Sequence, residues 1–293
     1  MADHGPSTIT LPSAVIEHDN APGPSLIVQR LGRQALIGSA AFYLLLVLVA
    51  PLAAIAYELV SMGLLDALRS LVQPNALAAL RMSVVLTALS VVINTVVGTI
   101  LALAIVRHRF ALRGIVNALA DLPLAVSPVM VGLSFLLLFG REGWFGLALD
   151  RFDLKVTFAF GGLLLGTLFV ALPYTVREVV YVLEELGTSE EEAAATLGAS
   201  PAQIFWRVTL PNIRFALGYG VLMTLARSMG EFGAVLVLGG SISGQTQTAT
   251  TFIHDSIDER NTGSAYGMAV LLALFSIGLL LALEWAKRRQ RKV

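Results

Sequence analysis

Six long runs of apolar residues, separated by shorter polar segments, dominate the chain. A run of about 20 apolar residues is long enough to cross a bilayer as an α-helix. We therefore predict an all-α polytopic membrane protein with six transmembrane helices. The predicted spans are 35–57, 82–106, 114–140, 156–174 or beyond, 215–238 and 263–285.

The segments between these runs refine the picture. Residues 58–79 mix apolar residues with Asp66 and Arg69, which is typical of an interfacial helix. Pro123 and Pro128 interrupt the third run, and we expect kinks there. An even number of spans places both ends of the chain on the same side of the membrane.

The distribution of basic residues predicts which side that is. Lysine and arginine follow the second and sixth runs, as Arg107, Arg109 and the segment 287–293. Because basic residues are retained on the cytoplasmic face, both termini are predicted to be cytoplasmic. Residues 1–30 carry several prolines and no signal-peptide core, which predicts a flexible cytoplasmic tail before a membrane domain at 31–286 and a basic tail at 287–293.

Composition supports a membrane protein and excludes several functions. The chain is 56% hydrophobic and only 14% charged, and its mean hydropathy is +0.77. It has no cysteine and four scattered histidines, so neither a catalytic residue nor a metal site is predicted. None of its lysines follows a glycine, so no phosphate-binding loop for ATP is present. Basic and acidic residues number 20 each, which gives no indication of nucleic-acid binding.

The longest predicted cytoplasmic segment, residues 178–212, is here called the EAA loop. Ser189 followed by Glu192 predicts a capping box and a helix that starts at Glu190. Gly198 is suited to end that helix in a left-handed conformation, and Ser200 with Pro201 predicts the cap of a second short helix. The apolar side chains of these helices must be covered either by the chain itself or by a partner.

The EAA loop also carries a spaced motif. Glu192-Ala193-Ala194, then Gly198, then Val208-x-Leu210-Pro211 resembles the EAA motif of permease subunits in bacterial ABC importers, with Val208 in place of isoleucine as the one departure. The resemblance implies a type I permease fold, in which this loop docks on an ATPase subunit. It assigns ATPase coupling to Glu192, Ala193, Ala194, Gly198, Ala199, Ser200, Pro201, Phe205 and Pro211.

Other segments narrow the resemblance. Residues 121–128, 169–178 and 227–234 resemble the sulfate, thiosulfate and molybdate group of importers, and residues 240–246 are similar to the W-type membrane subunit of sulfate/thiosulfate importers. The resemblance implies an inner-membrane protein surrounded by lipid, without a cofactor of its own. Its implied partners are a T-type permease subunit forming a heterodimer, two ABC ATPase subunits that bind ATP and Mg²⁺, and a periplasmic sulfate-binding protein. A molybdate or tungstate permease, an ion-gradient-driven secondary transporter and a membrane-embedded enzyme are the alternatives.

Polar residues inside the spans are candidates for the translocation pathway. An isolated arginine at the centre of a span costs about 2.5–3.5 kcal/mol on insertion scales, so Arg227 is expected to face protein or water. Glu231 lies four residues later on the same helix face, so the two form an internal ion pair, or Arg227 also lines the cavity and meets an oxyanion. Ser127 and Thr224 offer neutral donors to sulfate, and Asp121 is placed to cap a broken helix or to contact the fifth span. For each of the three residues, a packing role is the preferred interpretation.

Overall fold

The structure, a computed structural model, describes residues 26–290, except for the side chains of 26–32, 62, 64, 66–68 and 286–290. All regular elements in this described part are helical, as predicted. The predicted N-terminal tail lies outside the described residues as far as residue 25. The helices in chain order are α1 (Leu26–Leu44), α2 (Ala50–Met62), α3 (Leu64–Leu71), α4 (Pro74–Arg107), α5 (Arg113–Ala125), α6 (Pro128–Phe139), α7 (Gly146–Arg151), α8 (Phe160–Leu186), α9 (Ser189–Thr196), α10 (Pro201–Ile204), α11 (Leu210–Met229), α12 (Gly233–Gly239), α13 (Ala249–Asp258) and α14 (Thr262–Gln290).

Four stretches of helix are each long and apolar enough to cross a membrane, namely Arg33–Ser61, Pro74–Arg107, Phe160–Leu186 and Thr262–Trp285. Two further spans arise only if bent pairs of helices are counted as one span each. The pair α5 and α6 bends by 113°, and the helix Pro201–Met229 bends by 53° into α12. Four of the six predicted spans are therefore present as long apolar helices, and the predicted third and fifth spans correspond to the two bent pairs.

The second span begins eight residues earlier than predicted, at Pro74. Proline at the first helical position starts α4 without the loss of a backbone hydrogen bond. Ala76 and Ala79 in its first turns are buried against Phe252 and Met268. The predicted interfacial helix is correspondingly reduced to the short α3, because protein contacts rather than lipid cover the start of α4.

The break in the third span falls at Pro128 and not at Pro123. Pro123 remains inside α5, whereas Val126 and Ser127 have extended backbone conformations and Pro128 starts α6. The residue before a proline is disfavoured in the helical conformation, which explains why α5 stops before Ser127. The predicted kink is thus a sharp turn between two helices.

Two π-helical turns, Leu45–Val49 and Phe205–Thr209, each end two residues before a proline. The prolines are Pro51 and Pro211, and the ring of a proline clashes with the carbonyl four residues earlier, which lies inside each π turn. The wider turn relieves that clash without ending the helix. For this reason α10 continues through Pro211 into α11, although the sequence predicted a separate short helix and a span that starts only at residue 215.

The described residues fall into two contact units, with the division after Leu52. In the first, every described side chain from 33 to 52 is exposed, as expected for an apolar helix that faces lipid. In the second, α4, α8 and α11 pack against one another and form the centre of the fold. Their largest apolar cluster lies towards the end of the bundle that carries α9, and its fully buried members include Ala102, Val176, Val179, Leu183 and Ile213.

Candidate functional site

The first helix of the EAA loop starts one residue earlier than predicted. Gly187 ends α8 with a φ of 65°, and Thr188 then takes the N-cap position of α9. The Thr188 hydroxyl donates to the Glu192 carboxylate at 2.6 Å, and the Glu192 amide donates to the Thr188 carbonyl at 2.9 Å. The predicted capping box at Ser189 is therefore wrong, because Ser189 is already the first helical residue and Thr188, whose hydroxyl bonds the Glu192 side chain, takes the N-cap position.

The end of α9 is as predicted. Gly198 has a φ of 84°, in the left-handed region. Its amide donates to the Ala195 carbonyl at 2.9 Å, and the Ala199 amide donates to the Ala194 carbonyl at 3.1 Å. This pair of bonds is a Schellman motif, which satisfies the last carbonyls of the helix.

The predicted second cap is confirmed as well. The Ser200 amide donates to the Gln203 side chain at 2.8 Å, and the Gln203 amide donates to the Ser200 hydroxyl at 3.4 Å, with Pro201 at the first helical position. The EAA loop thus has two helices separated by one sharp, well-bonded turn.

Only part of the apolar surface of the EAA loop is covered by the chain. Phe205 and Ala194 are half-buried, whereas Leu197 is 89% exposed and Trp206 is 66% exposed. The remaining predicted coupling residues are mostly at the surface: Glu192, Ala193, Gly198, Ser200, Pro201 and Pro211 are exposed, and Ala199 is half-buried. The EAA loop therefore presents a partly apolar face that the transmembrane helices of this chain do not cover.

The opposite face of α9 is attached to the transmembrane helices by two glutamates. Glu191 pairs with Arg107 at the end of α4, with 2.9 Å between the Arg107 Nε and the Glu191 Oε2. It also accepts a hydrogen bond of 2.8 Å from the Thr209 hydroxyl. Glu190 accepts a bond of 2.5 Å from the Asn212 amide group in the first turn of α11.

The second group of predicted residues lies at the break between α11 and α12. Arg227 Nη1 is 2.7 Å from Glu231 Oε2, which confirms the predicted ion pair. Glu231 also has a role that the sequence did not predict, because its Oε1 accepts a 2.9 Å bond from the Ala234 amide at the start of α12. Its backbone carbonyl accepts a 2.7 Å bond from the Thr250 hydroxyl.

This pair does not lie in the middle of an unbroken span. Arg227 belongs to the last turn of α11, and Glu231 lies between the two helices. The Glu231 side chain is 1% exposed and that of Arg227 is 25% exposed. The carboxylate is therefore enclosed by protein, while the Arg227 side chain is partly exposed.

A line of buried polar contacts joins α4, α8 and α11 near this break. The Thr224 and Thr175 hydroxyls are 2.8 Å apart, and those of Ser228 and Ser90 are 3.1 Å apart. The Asn94 amide group donates to the Leu168 carbonyl at 3.2 Å. Thr224, a predicted donor to the anion, is fully buried and its hydroxyl is used between helices.

Asp121 has a packing contact between two helices, which is the role preferred for it from the sequence. Asp121 neither caps a helix end nor meets the fifth span, because the break at Val126 leaves it inside α5. There it accepts a hydrogen bond from the Arg177 Nε of α8, while the Arg177 guanidinium donates two bonds of 2.8 Å to Asn117. Ser127 is exposed at the start of α6.

At the end of the bundle away from α9, one carboxylate fixes a loop. Asp255 of α13 accepts hydrogen bonds from the Ser241 hydroxyl and, at 2.6 Å, from the Gln247 amide group. Its side chain is 28% exposed, whereas that of Asp258 is 70% exposed. Asp255 is thus partly structural, and Asp258 stays on the surface.

Within residues 26–290, no group of three or more His, Asp and Glu side chains is placed to hold a metal ion. The arrangement offers two features. An exposed loop is attached to three helices and can move with them, and a buried ion pair lies at a helix break.

These features define a multi-pass membrane permease subunit. Residues 94–292 match the family described as binding-protein-dependent transport system inner membrane component, and the chain belongs to that family. The chain is 45% identical over 254 residues, 87% of its length and 92% of the relative, to the sulfate transport system permease protein CysW of Synechocystis. It is 34% identical, over 86% of its length and 91% of the relative, to the sulfate transport system permease protein CysT of Escherichia coli.

The fold has a solved counterpart. A bacterial alginate ABC transporter, crystallised in complex with an alginate pentasaccharide-bound periplasmic protein, contains a chain similar to this one with a TM-score of 0.70 and 16% identity. The similarity covers 91% of this chain and 96% of that chain. It confirms the predicted type I permease fold of an ABC importer.

Proposed function

We propose that this chain is the W-type permease subunit of an ATP-driven importer of sulfate or thiosulfate. The observation that carries the proposal is the 45% identity to a CysW protein along 92% of that protein's length. The identity to a CysT protein is lower, which supports a W-type over a T-type subunit. A T-type subunit similar to that protein is then the proposed second half of a heterodimer.

The remaining partners follow from the same proposal. Two ABC ATPase subunits bind ATP and Mg²⁺ and dock on the exposed face of the EAA loop. A periplasmic sulfate-binding protein delivers the anion at the opposite end, as the complex of the alginate transporter with a periplasmic protein suggests. Both termini of this chain then lie in the cytoplasm, and the chain itself catalyses no reaction.

The exposed apolar side chains of the EAA loop support the docking. Leu197 and Trp206 are exposed, and burial of each would contribute about 1.5–3 kcal/mol to binding a partner. A groove on an ATPase subunit buries them, and the contacts of Glu190 and Glu191 then connect that groove to the transmembrane helices.

The function is tested by reconstitution. The chain is purified with its proposed T-type and ATPase partners, and uptake of radiolabelled sulfate into vesicles is measured with the binding protein and ATP. We expect uptake that requires ATP and that thiosulfate competes for. Uptake driven by an ion gradient without ATP would instead identify a secondary transporter, and uptake inhibited by molybdate but not by thiosulfate would identify a molybdate permease.

The proposed orientation predicts the accessibility of four exposed arginines. Arg109 and Arg207 are expected on the cytoplasmic side, and Arg151 and Arg260 on the periplasmic side. Because the chain has no cysteine, single cysteines at these positions give labelling without background. An impermeant thiol reagent added to intact spheroplasts is expected to label the Arg151→Cys and Arg260→Cys variants only. Labelling of Arg109→Cys in intact spheroplasts would show that the topology is the reverse of the proposed one.

A further inference from the structure

The helix α9 meets three transmembrane helices through one buried ion pair. Arg107, the last residue of α4, contacts Glu191 at 2.9 Å and donates a 3.0 Å bond to the Leu183 carbonyl in α8. Glu191 in turn accepts the 2.8 Å bond from Thr209, in the π turn that leads into α11. A single pair of side chains therefore links α9 with α4, α8 and α11.

This link is shielded from water. The side chains of Arg107 and Glu191 are 13% and 21% exposed, so their attraction is screened less than that of a surface pair. Both partners are also held by further hydrogen bonds, which fixes the direction of the contact. The pair therefore holds α9 and the end of α4 in a defined relative position.

The backbone alone does not fix α9 in this way. The helix has eight residues, which is too short to be stable by itself, and it lies between two glycines in unusual conformations. Gly187 has a φ of 65° and Gly198 a φ of 84°, and an added side chain at either position would meet no atom within 4 Å. The turn at Gly198 is held by its two Schellman bonds, whereas no atom lies within 4 Å of a β-carbon position at Gly187, so the side-chain contacts of α9 hold its first turn against the bundle.

We propose that Arg107 and Glu191 are the positioning pair that transmits the movement of α9 to the transmembrane helices during transport. The proposal rests on the proposed function, in which ATPase subunits move the EAA loop. Neither residue touches the transported anion. Their role is to convert a movement of α9 into a movement of α4 and of the start of α11, rather than a local displacement of α9 at Gly187.

The test uses the reconstituted complex with Glu191→Gln, which keeps the size of the side chain but removes its charge. Three quantities are measured: the ATPase retained on purification, the ATPase activity stimulated by the binding protein, and the radiolabelled sulfate taken up per ATP hydrolysed. We expect normal retention of ATPase but about tenfold less sulfate per ATP, a loss that corresponds to about 1.4 kcal/mol of coupling. Two matched controls remove a charge at exposed positions: Glu185→Gln at the end of α8 and Arg109→Met next to α4. In both, the sulfate taken up per ATP should stay within about twofold of the wild type, which is the ordinary range for surface substitutions.

A purely structural role would lower the amount of complex but leave the sulfate taken up per ATP unchanged in the complexes that do assemble. A second variant strengthens the distinction: Arg107→Cys with Glu191→Cys, joined by a short reducible bis-thiosulfonate cross-linker, replaces the ion pair by a covalent link in a chain with no other cysteine. The linked complex is expected to recover its sulfate per ATP, and reduction of the link is expected to lower it again.

The outcomes separate the two proposals. If the wild-type chain retains no ATPase, the proposed function fails and the transmission fails with it. If the wild type is coupled and Glu191→Gln takes up as much sulfate per ATP, or if the cross-link does not restore coupling, only the transmission through this pair is refuted.

Discussion

Replacement of Gly198 by glutamate is expected to leave the chain inserted in the membrane and to reduce the sulfate transported per ATP by at least about tenfold. Gly198 has a φ of 84°, a conformation that costs about 1–2 kcal/mol for a residue with a β-carbon. That cost acts against the Schellman bonds of Ala195 and Ala199 and so changes the angle between α9 and α10. The added carboxylate would also have to be desolvated when the EAA loop enters a groove on the ATPase.

Two control variants separate the possible causes. Gly198→Asn keeps a residue that tolerates the left-handed conformation and adds no charge, so it should retain most of the coupling. Gly114→Glu adds the same charge at an exposed position in the first turn of α5, far along the chain from the EAA loop, and should behave like the wild type. ATPase activity and sulfate uptake are measured in the same reconstituted complexes. Unchanged coupling in Gly198→Glu would show that the EAA loop does not contact the ATPase.

The features that could be predicted from the sequence are those set by neighbours along the chain. The left-handed turn at Gly198 and the cap at Ser200 depend on residues within three or four positions, and both are present. The Arg227–Glu231 pair was predictable for the same reason, since residues four apart face each other on a helix.

Contacts between helices were harder to predict from the sequence. Arg107 and Glu191 are 84 positions apart, and Arg177 and Asp121 are 56 apart, so no spacing rule pairs them. The available signal was weak: an arginine at the end of a span, and an acidic run in a cytoplasmic loop. Which of the three glutamates meets Arg107 depends on how α9 packs against α4 and α11, which only the tertiary structure determines.

The break in the third span was predicted at Pro123 and Pro128 and occurs only at Pro128, whereas the break in the fifth span, between α11 and α12, was not predicted. Prolines indicated where a helix could deviate, yet Pro123 is accommodated within α5 and Pro128 begins a new helix at 113° to it. Pro211 did not end its helix, because a π turn relieves its clash with the preceding carbonyl. The local chemistry of proline permits each of these outcomes, and packing against the neighbouring helices selects one.

The second large effect is expected at the break between α11 and α12. Arg227→Met should strongly reduce the amount of assembled complex, because it leaves the Glu231 carboxylate, 1% exposed, without its cation. Removing one partner of a buried pair costs about 3–5 kcal/mol. Glu231→Gln should be milder, since the glutamine oxygen can still accept the bond from the Ala234 amide and Arg227 still reaches the surface.

The double variant, Arg227→Met with Glu231→Gln, then separates pairing from anion binding. With both charges removed and the Ala234 bond retained, assembly should recover, since neutral replacement of a buried pair is often tolerated. If pairing is the main task of Arg227, sulfate uptake by the assembled double variant should be near normal, and this is the result we expect. An assembled complex with stimulated ATPase but no uptake would show instead that Arg227 acts on the anion. In that case Arg227→Lys should retain part of the uptake, because lysine keeps the positive charge although it loses the bidentate geometry of arginine.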